Sequence, residues 1–203
     1  MPRDATQTRA LLRRAAESRF ARDGVAGARL LDIVRDAGQA NESAISYHFG
    51  SRDGLLARIV GVHLAAMEEQ RMLPREGAGL RELVEAVVVP TAALLRTGEG
   101  RDFLRITEQL AGYSGVGTGR PDPVLRGTRL AQQLARLEEL MRAQVRSTYA
   151  RERAALLVTF LTSSLAERAR SIEAGGHLRL GHARYVAHLV GVLTGALGAP
   201  VDT

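Results

Sequence analysis

The chain contains no cysteine, and all 28 of its basic residues are arginine. Without cysteine there are no disulfides, thiolate nucleophiles or cysteine-based metal sites, which fits a reducing compartment. The exclusive use of arginine matches a GC-rich coding sequence, which also favours alanine and glycine, so it says little about function. No run of about 18 apolar residues is present; the stretch 83–89 is far too short to span a bilayer. The first twenty positions, MPRDATQTRALLRRAAESRF, are polar and charged and lack the apolar region of a signal peptide. A soluble, cytoplasmic chain with no membrane partner is expected. Nothing reads as a strand, because the β-rich Val87–Val89 lies inside a helical pattern. There is no glycine-rich nucleotide loop, no useful heptad and no metal-ligand pair; His177, His182 and His188 share no i,i+4 spacing. No serine, histidine and acid stand in a recognisable motif either, so neither an enzyme nor a cofactor is expected.

What is present is helical spacing, broken by glycine and proline, over 203 residues with a formal charge of +6. The sign of that charge favours a polyanionic partner at long range. Residues 1–60 carry ten arginines against seven acids, and residues 61–203 eighteen against fifteen. The excess is therefore denser toward the N-terminus. After a loose start through Gln7, Leu12, Ala15, Ala16 and Phe20 keep helical spacing until Gly24, with Arg9, Arg13, Arg14 and Arg22 on the polar side. A second helix spans Arg29 to Ala37. Beyond the head, helices are expected from Leu55 to Gln70, from Leu80 to Leu95 with a bend at Pro90, and from Asp102 to Leu110 after Gly98 and Gly100. Residues 111–123, AGYSGVGTGRPDP, read as a surface loop. Three more helices are expected, from about Pro123 to Val145, from Glu152 to Ile172 and from Gly181 to Leu197.

The stretch from Gly38 to Leu56, GQANESAISYHFGSRDGLL, carries the functional signal. Gly38 can close the second helix at positive φ, and Asn41 or Ser43 can cap a short third one. Ala44 and Ile45 supply its buried contacts, which leaves Ser43, Ser46, Tyr47 and His48 toward the outside. Gly50 ends it, Ser51 caps the next helix, and Leu55, Leu56 and Ile59 restart the apolar stripe. Two helices joined by a tight turn, the second short and polar outward, form the layout of a helix-turn-helix that enters a major groove.

On these residues the first 60 positions resemble the TetR family of transcriptional regulators. The resemblance lies in Phe20-Ala21-Arg22-Asp23-Gly24, in Leu31-Asp32-Ile33-Val34, in Tyr47-His48-Phe49 and in Ser51-Arg52-Asp53 followed by Leu55-Leu56. It implies an all-α fold of about nine helices, with a DNA-binding head at 1–52 and a ligand-binding and dimerisation body at 53–203. It implies a homodimer that binds double-stranded operator DNA, represses transcription and is released by a small-molecule effector. Two departures stand out: Ala28 replaces a frequent threonine cap, and the turn holds one extra residue, with Glu42 near the usual position of a phosphate-contacting lysine. A helical interaction module that has lost specific DNA binding is the alternative, supported by Glu42 and the modest charge of the head.

If the head docks in this way, Asn41, Ser43, Ser46 and Tyr47 are the candidates for groove or phosphate contact, His48 for phosphate, and Arg52 for a phosphate clamp at the start of the fourth helix. Leu157, Leu161, Leu165, Tyr185, Leu189 and Leu193 are the candidates for the dimer interface. His63, Met67, Thr91, Phe103, Thr107, Met141, Phe160 and Ser163 are the candidates for an effector pocket between the middle helices. A ligand there would change the angle of the helix that begins at Ser51 and with it the spacing of the two heads.

Overall fold

The computed structural model describes residues 5–41, 43–111 and 123–201. Among these the chain is all-α, with nine α-helices and no strand. The head consists of α1 (Ala5–Asp23), α2 (Leu30–Asp36) and α3 (Ser43–Phe49), and α4 (Arg52–Gln70) leads out of it. The body is built from α5 (Leu80–Ala92), α6 (Gly98–Leu110), α7 (Arg129–Arg142), α8 (Ser147–Glu173) and α9 (His182–Leu197). None of these helices is long and apolar enough to cross a membrane.

Most helix ends follow local chemistry. Gly24 and Gly38 close α1 and α2 at φ of 84° and 65°, a region that costs glycine nothing. Several boundaries differ from expectation. The first helix is already formed at Ala5, so only residues 1–4 of the expected loose start lie outside the described residues. Glu42 and most of the expected surface loop, 112–122, also lie outside them. Pro90 sits within α5 without breaking it, and the chain then tightens into a 3₁₀ turn at Ala93–Arg96. Gly98 and Gly100 do not separate two helices. They form the first turn of α6, where Thr97 Oγ1 accepts from the Gly100 amide at 3.0 Å, and a Cβ at position 100 would collide with Leu94 O. The helix expected from about Pro123 starts only at Arg129, because Gly127 (φ 75°) reverses the chain first. Thr128 then caps it.

Two apolar clusters hold the chain together. The body cluster draws on α5 through α9, with Val84, Val88, Leu104, Leu137, Leu157, Leu165 and Val190 fully buried. The other lies under the head and joins Leu12, Phe20, Ile33, Ile45, Leu55 and Ile59 to Phe103 and Ile106 of α6. Burying side chains of this size stabilises by about 1.5–3 kcal/mol each. The expected boundary at 52/53 falls at the first turn of α4, whereas the apolar cluster of the head runs on through α4 and into α6. The head is therefore completed by the body.

Candidate functional site

The third helix owes its position to two caps. At its start Asn41 Oδ1 accepts from the Ser43 amide at 2.9 Å, satisfying one of the helix's orphan donors. After Gly50 (φ 77°), Ser51 Oγ accepts from the Gly54 amide at 3.0 Å and starts α4. A Cβ on Gly54 would collide with Phe49 O, so only glycine lets α4 follow α3 so closely. Ile45 anchors the inner face, while Ser43, Ser46 and Tyr47 face solvent, with Tyr47 82% exposed. Asn41 is exposed as well, and His48 is half-buried, edge-on to the Tyr47 ring at 4.9 Å. Asn41, Ser43, Ser46 and Tyr47 thus share one outward surface, with His48 at its margin.

Arg52 is placed otherwise. Its guanidinium donates to Val25 O and Ala28 O, both at 2.6 Å, and lies over the Phe20 ring at 5.9 Å. It ties the α1–α2 connection to the start of α4. The N-cap of α2 is Arg29, one residue after Ala28, and it makes no side-chain cap.

A cavity of about 350 Å³ opens between α4, α5, α6, α7 and α8. One face of α4 forms its long wall, through Asp53, Leu56, Ala57, Val60, Leu64, Met67 and the helix-capping Arg71. Four of the expected ligand residues, Met67, Thr91, Phe103 and Thr107, belong to the lining. The other four do not. His63 lies behind Phe103, stacked on its ring at 4.2 Å and paired with the buried Glu17 of α1, which also accepts from Arg13 at 2.7 Å. Met141 is packed in the body core. Phe160 and Ser163 stand on the outward side of α8, because Val158, Leu161 and Thr162 take the side that faces the cavity.

Sequence reasoning missed the polar end of the cavity. Arg71 is 2% exposed, and its Nη atoms donate to Gln133 Oε1 at 3.0 Å, Thr91 Oγ1 at 3.1 Å and Ala86 O at 3.4 Å. Gln133 is itself fully buried and donates to Met72 O at 2.9 Å. A signal existed in the spacing: Arg71 continues the Leu64, Met67 stripe, and Gln133 falls between Leu130 and Leu137 on an apolar face. Among the described residues no group of histidines and acids is arranged to hold a metal ion.

No protein-family model matches the chain, and no curated protein matches it in sequence. Solved structures do. A TetR variant from Acinetobacter baumannii AYE, in complex with minocycline, aligns at 16% identity over 92% of each chain, with a TM-score of 0.55. NalD, the secondary repressor of the MexAB-OprM multidrug efflux pump in Pseudomonas aeruginosa, aligns at 18% identity over 94% of this chain and 95% of its own, also at 0.55. The fold is TetR-like. A transcriptional regulator from Rhodococcus sp. Rha1 aligns at 19% identity over 96% and 99% of the two chains, with a TM-score of 0.53. Identities this low carry the architecture alone.

Within this TetR-like fold, the six residues expected at a dimer interface are spent inside the chain. Leu157, Leu161, Leu165, Leu189 and Leu193 are buried in the body core. Tyr185 is half-buried, donates to Ser164 O at 2.7 Å and lies under Arg168. The large apolar residues left outward on the same helices are Tyr149, Leu156, Phe160 and Val192, each about half exposed.

Proposed function

We propose that this protein is a homodimeric, sequence-specific DNA-binding regulator, a repressor released from its operator when a small molecule enters the body. The observation that carries the reading is that one helix serves two sites. The N-terminal turn of α4 packs beneath the outward α3, and the same helix forms the long wall of the cavity. A molecule that binds two tilts of α4 unequally shifts the balance between them, and only by that difference in affinity. The TetR-like fold supports this reading, as does minocycline bound to one of the similar structures.

In the proposed complex α3 enters the major groove with Ser43, Ser46 and Tyr47 toward base edges and phosphates, and Asn41 and His48 flank it. The exposed Arg29 at the start of α2 is the nearer candidate for phosphate contact, since Arg52 is committed within the head. Dimerisation is proposed through the outward faces of α8 and α9, with Leu156, Phe160 and Val192 at the centre. Selection of bound sequences from a random duplex pool tests the reading. A two-fold symmetric motif is expected, with half-site centres about 34 Å apart. Absence of preference among duplexes at moderate salt overturns it.

A further inference from the structure

The cavity is apolar along its length and has hydrogen-bond donors at one end only. Its α4 wall runs from Asp53 to Arg71, roughly 27 Å at the helical rise of about 1.5 Å per residue. The lining threonines have no protons to offer a ligand. Thr91 Oγ1 donates to Val87 O, Thr107 Oγ1 to Leu104 O and Thr162 Oγ1 to Val158 O, each at 2.8 Å. Among the described lining residues, only Arg71 keeps a side-chain donor without an acceptor: its Nε is buried and makes no hydrogen bond.

The charge at Arg71 is answered by one ion pair, with Glu68. Its hydrogen-bond partners, Gln133, Thr91 and Ala86, are all neutral. Glu68 Oε1 stands 3.6 Å from Nε, beyond hydrogen-bond reach, and both Glu68 oxygens already accept backbone amides of Arg129 and Leu130 at the start of α7. Burial pushes the Arg71 pKa down to about 10, against the opposing pull of Glu68. At the other end of the wall the exposed carboxylate of Asp53 repels an anion.

We propose that the cavity takes an amphipathic carboxylate, a slender hydrocarbon whose chain lies along α4 and whose head group meets the Arg71 guanidinium. A carboxylate adds a second anion beside a guanidinium whose acidic neighbour, Glu68, pairs with it only at 3.6 Å, and a charge-assisted hydrogen bond is the stronger kind. The repulsion at Asp53 and the attraction at Arg71 fix its direction. The volume, about 350 Å³, lies within the usual range of small-molecule sites. This inference rests on reading the cavity as the effector site.

The test is calorimetric titration of the full-length protein with octanoate, decanoate and dodecanoate, beside methyl decanoate and 1-decanol. Saturable binding of the carboxylates is expected, tightening about fourfold per added methylene until the cavity is full. The ester and alcohol should bind at least about tenfold more weakly, and Arg71→Gln should erase that preference. The contrast between acid and ester in the unaltered protein decides the matter even if the variant fails to fold. Equal affinity of acid and ester, or no saturable binding by any chain length, overturns the proposal. Binding to a selected duplex, measured on the same preparation, separates the two readings. A protein that binds the duplex but no carboxylate loses this ligand class and keeps its regulatory role. One that binds decanoate through Arg71 but prefers no duplex keeps the ligand and loses the role.

Discussion

At the scale of single residues, the same side chain can serve DNA or the fold, and its partners decide between them. Arg52 is committed to Val25 O and Ala28 O. Arg52→Ala should therefore lower stability by about 1–3 kcal/mol in urea unfolding, and it should leave the salt dependence of operator binding unchanged. A phosphate contact would instead reduce the slope of log K against log salt by nearly one. Tyr47→Phe should do the reverse, weakening operator binding with an unaltered melting temperature, because the exposed hydroxyl supports nothing inside the head. Asp36 illustrates a pH effect. Its carboxyl is held below the ordinary carboxylate range, first by hydrogen bonds from Arg19 at 2.5 and 3.0 Å. The pair thus adds stability above that range, which begins near pH 4, and loses it as pH falls through the lower folded value. Denaturation midpoints of wild type and Asp36→Asn should differ at neutral pH and converge in acid. Tyr47's exposure could be read from spacing because it depends only on which way a seven-residue helix turns. The commitment of Arg52 could not, since its acceptors lie in a distant connection whose path no local pattern specifies.

At the scale of elements, α6 is the piece that joins head to body. Gln109 Oε1 accepts from the Val25 amide at 2.7 Å, and its Nε2 donates to Phe20 O at 3.3 Å, so α6 closes the end of α1. On the body side, Arg170 donates to Glu108 at 2.8 Å and Arg105 pairs with Glu173 at 2.8 Å. Phe103 belongs to the apolar cluster of the head although it sits in the body. Phe103→Ala should cost about 3–5 kcal/mol and lower the melting of the head together with that of the body, read by amide hydrogen exchange in α1 and α2. Unchanged exchange there would mean that the head is stable without α6. Periodicity and glycine located the helices well, because those signals act within a few residues. The departures arose where a tertiary contact overrode a local breaker. Thr97 and the close approach of Leu94 O draw Gly98 and Gly100 into a helix that glycine alone would have ended. The cavity wall was half legible for a similar reason. A stripe shows which residues face inward, but not whether the inside is packed core, as at Met141, or open space, as at Met67.

At the scale of the whole molecule, the proposed reading needs two copies: a helix of seven residues spans too little duplex to specify a site alone, so in that reading affinity comes from two heads joined rigidly. The leucines expected at a dimer seam on α8 and α9 are consumed by the body's own core, so the proposed seam is moved one step round each helix. There Leu156, Phe160 and Val192 stand about half exposed, beside Gly191 and Gly195, where a Cβ would meet nothing within 4 Å. Small residues beside large exposed ones let two helices approach closely. Replacing Leu156 and Phe160 together with arginine should leave the fold intact, because neither is buried, and should reduce the assembly to a chain of 21.9 kDa by light scattering. Half-site binding should persist. Affinity for the complete operator should fall by about 10²–10⁴, the advantage that linkage of two weak sites confers. The salt slope should fall by about half, since half of the phosphate contacts are lost. A variant that stays dimeric would move the interface elsewhere, and a monomeric variant with undiminished operator affinity would mean that each head reads its site without a partner.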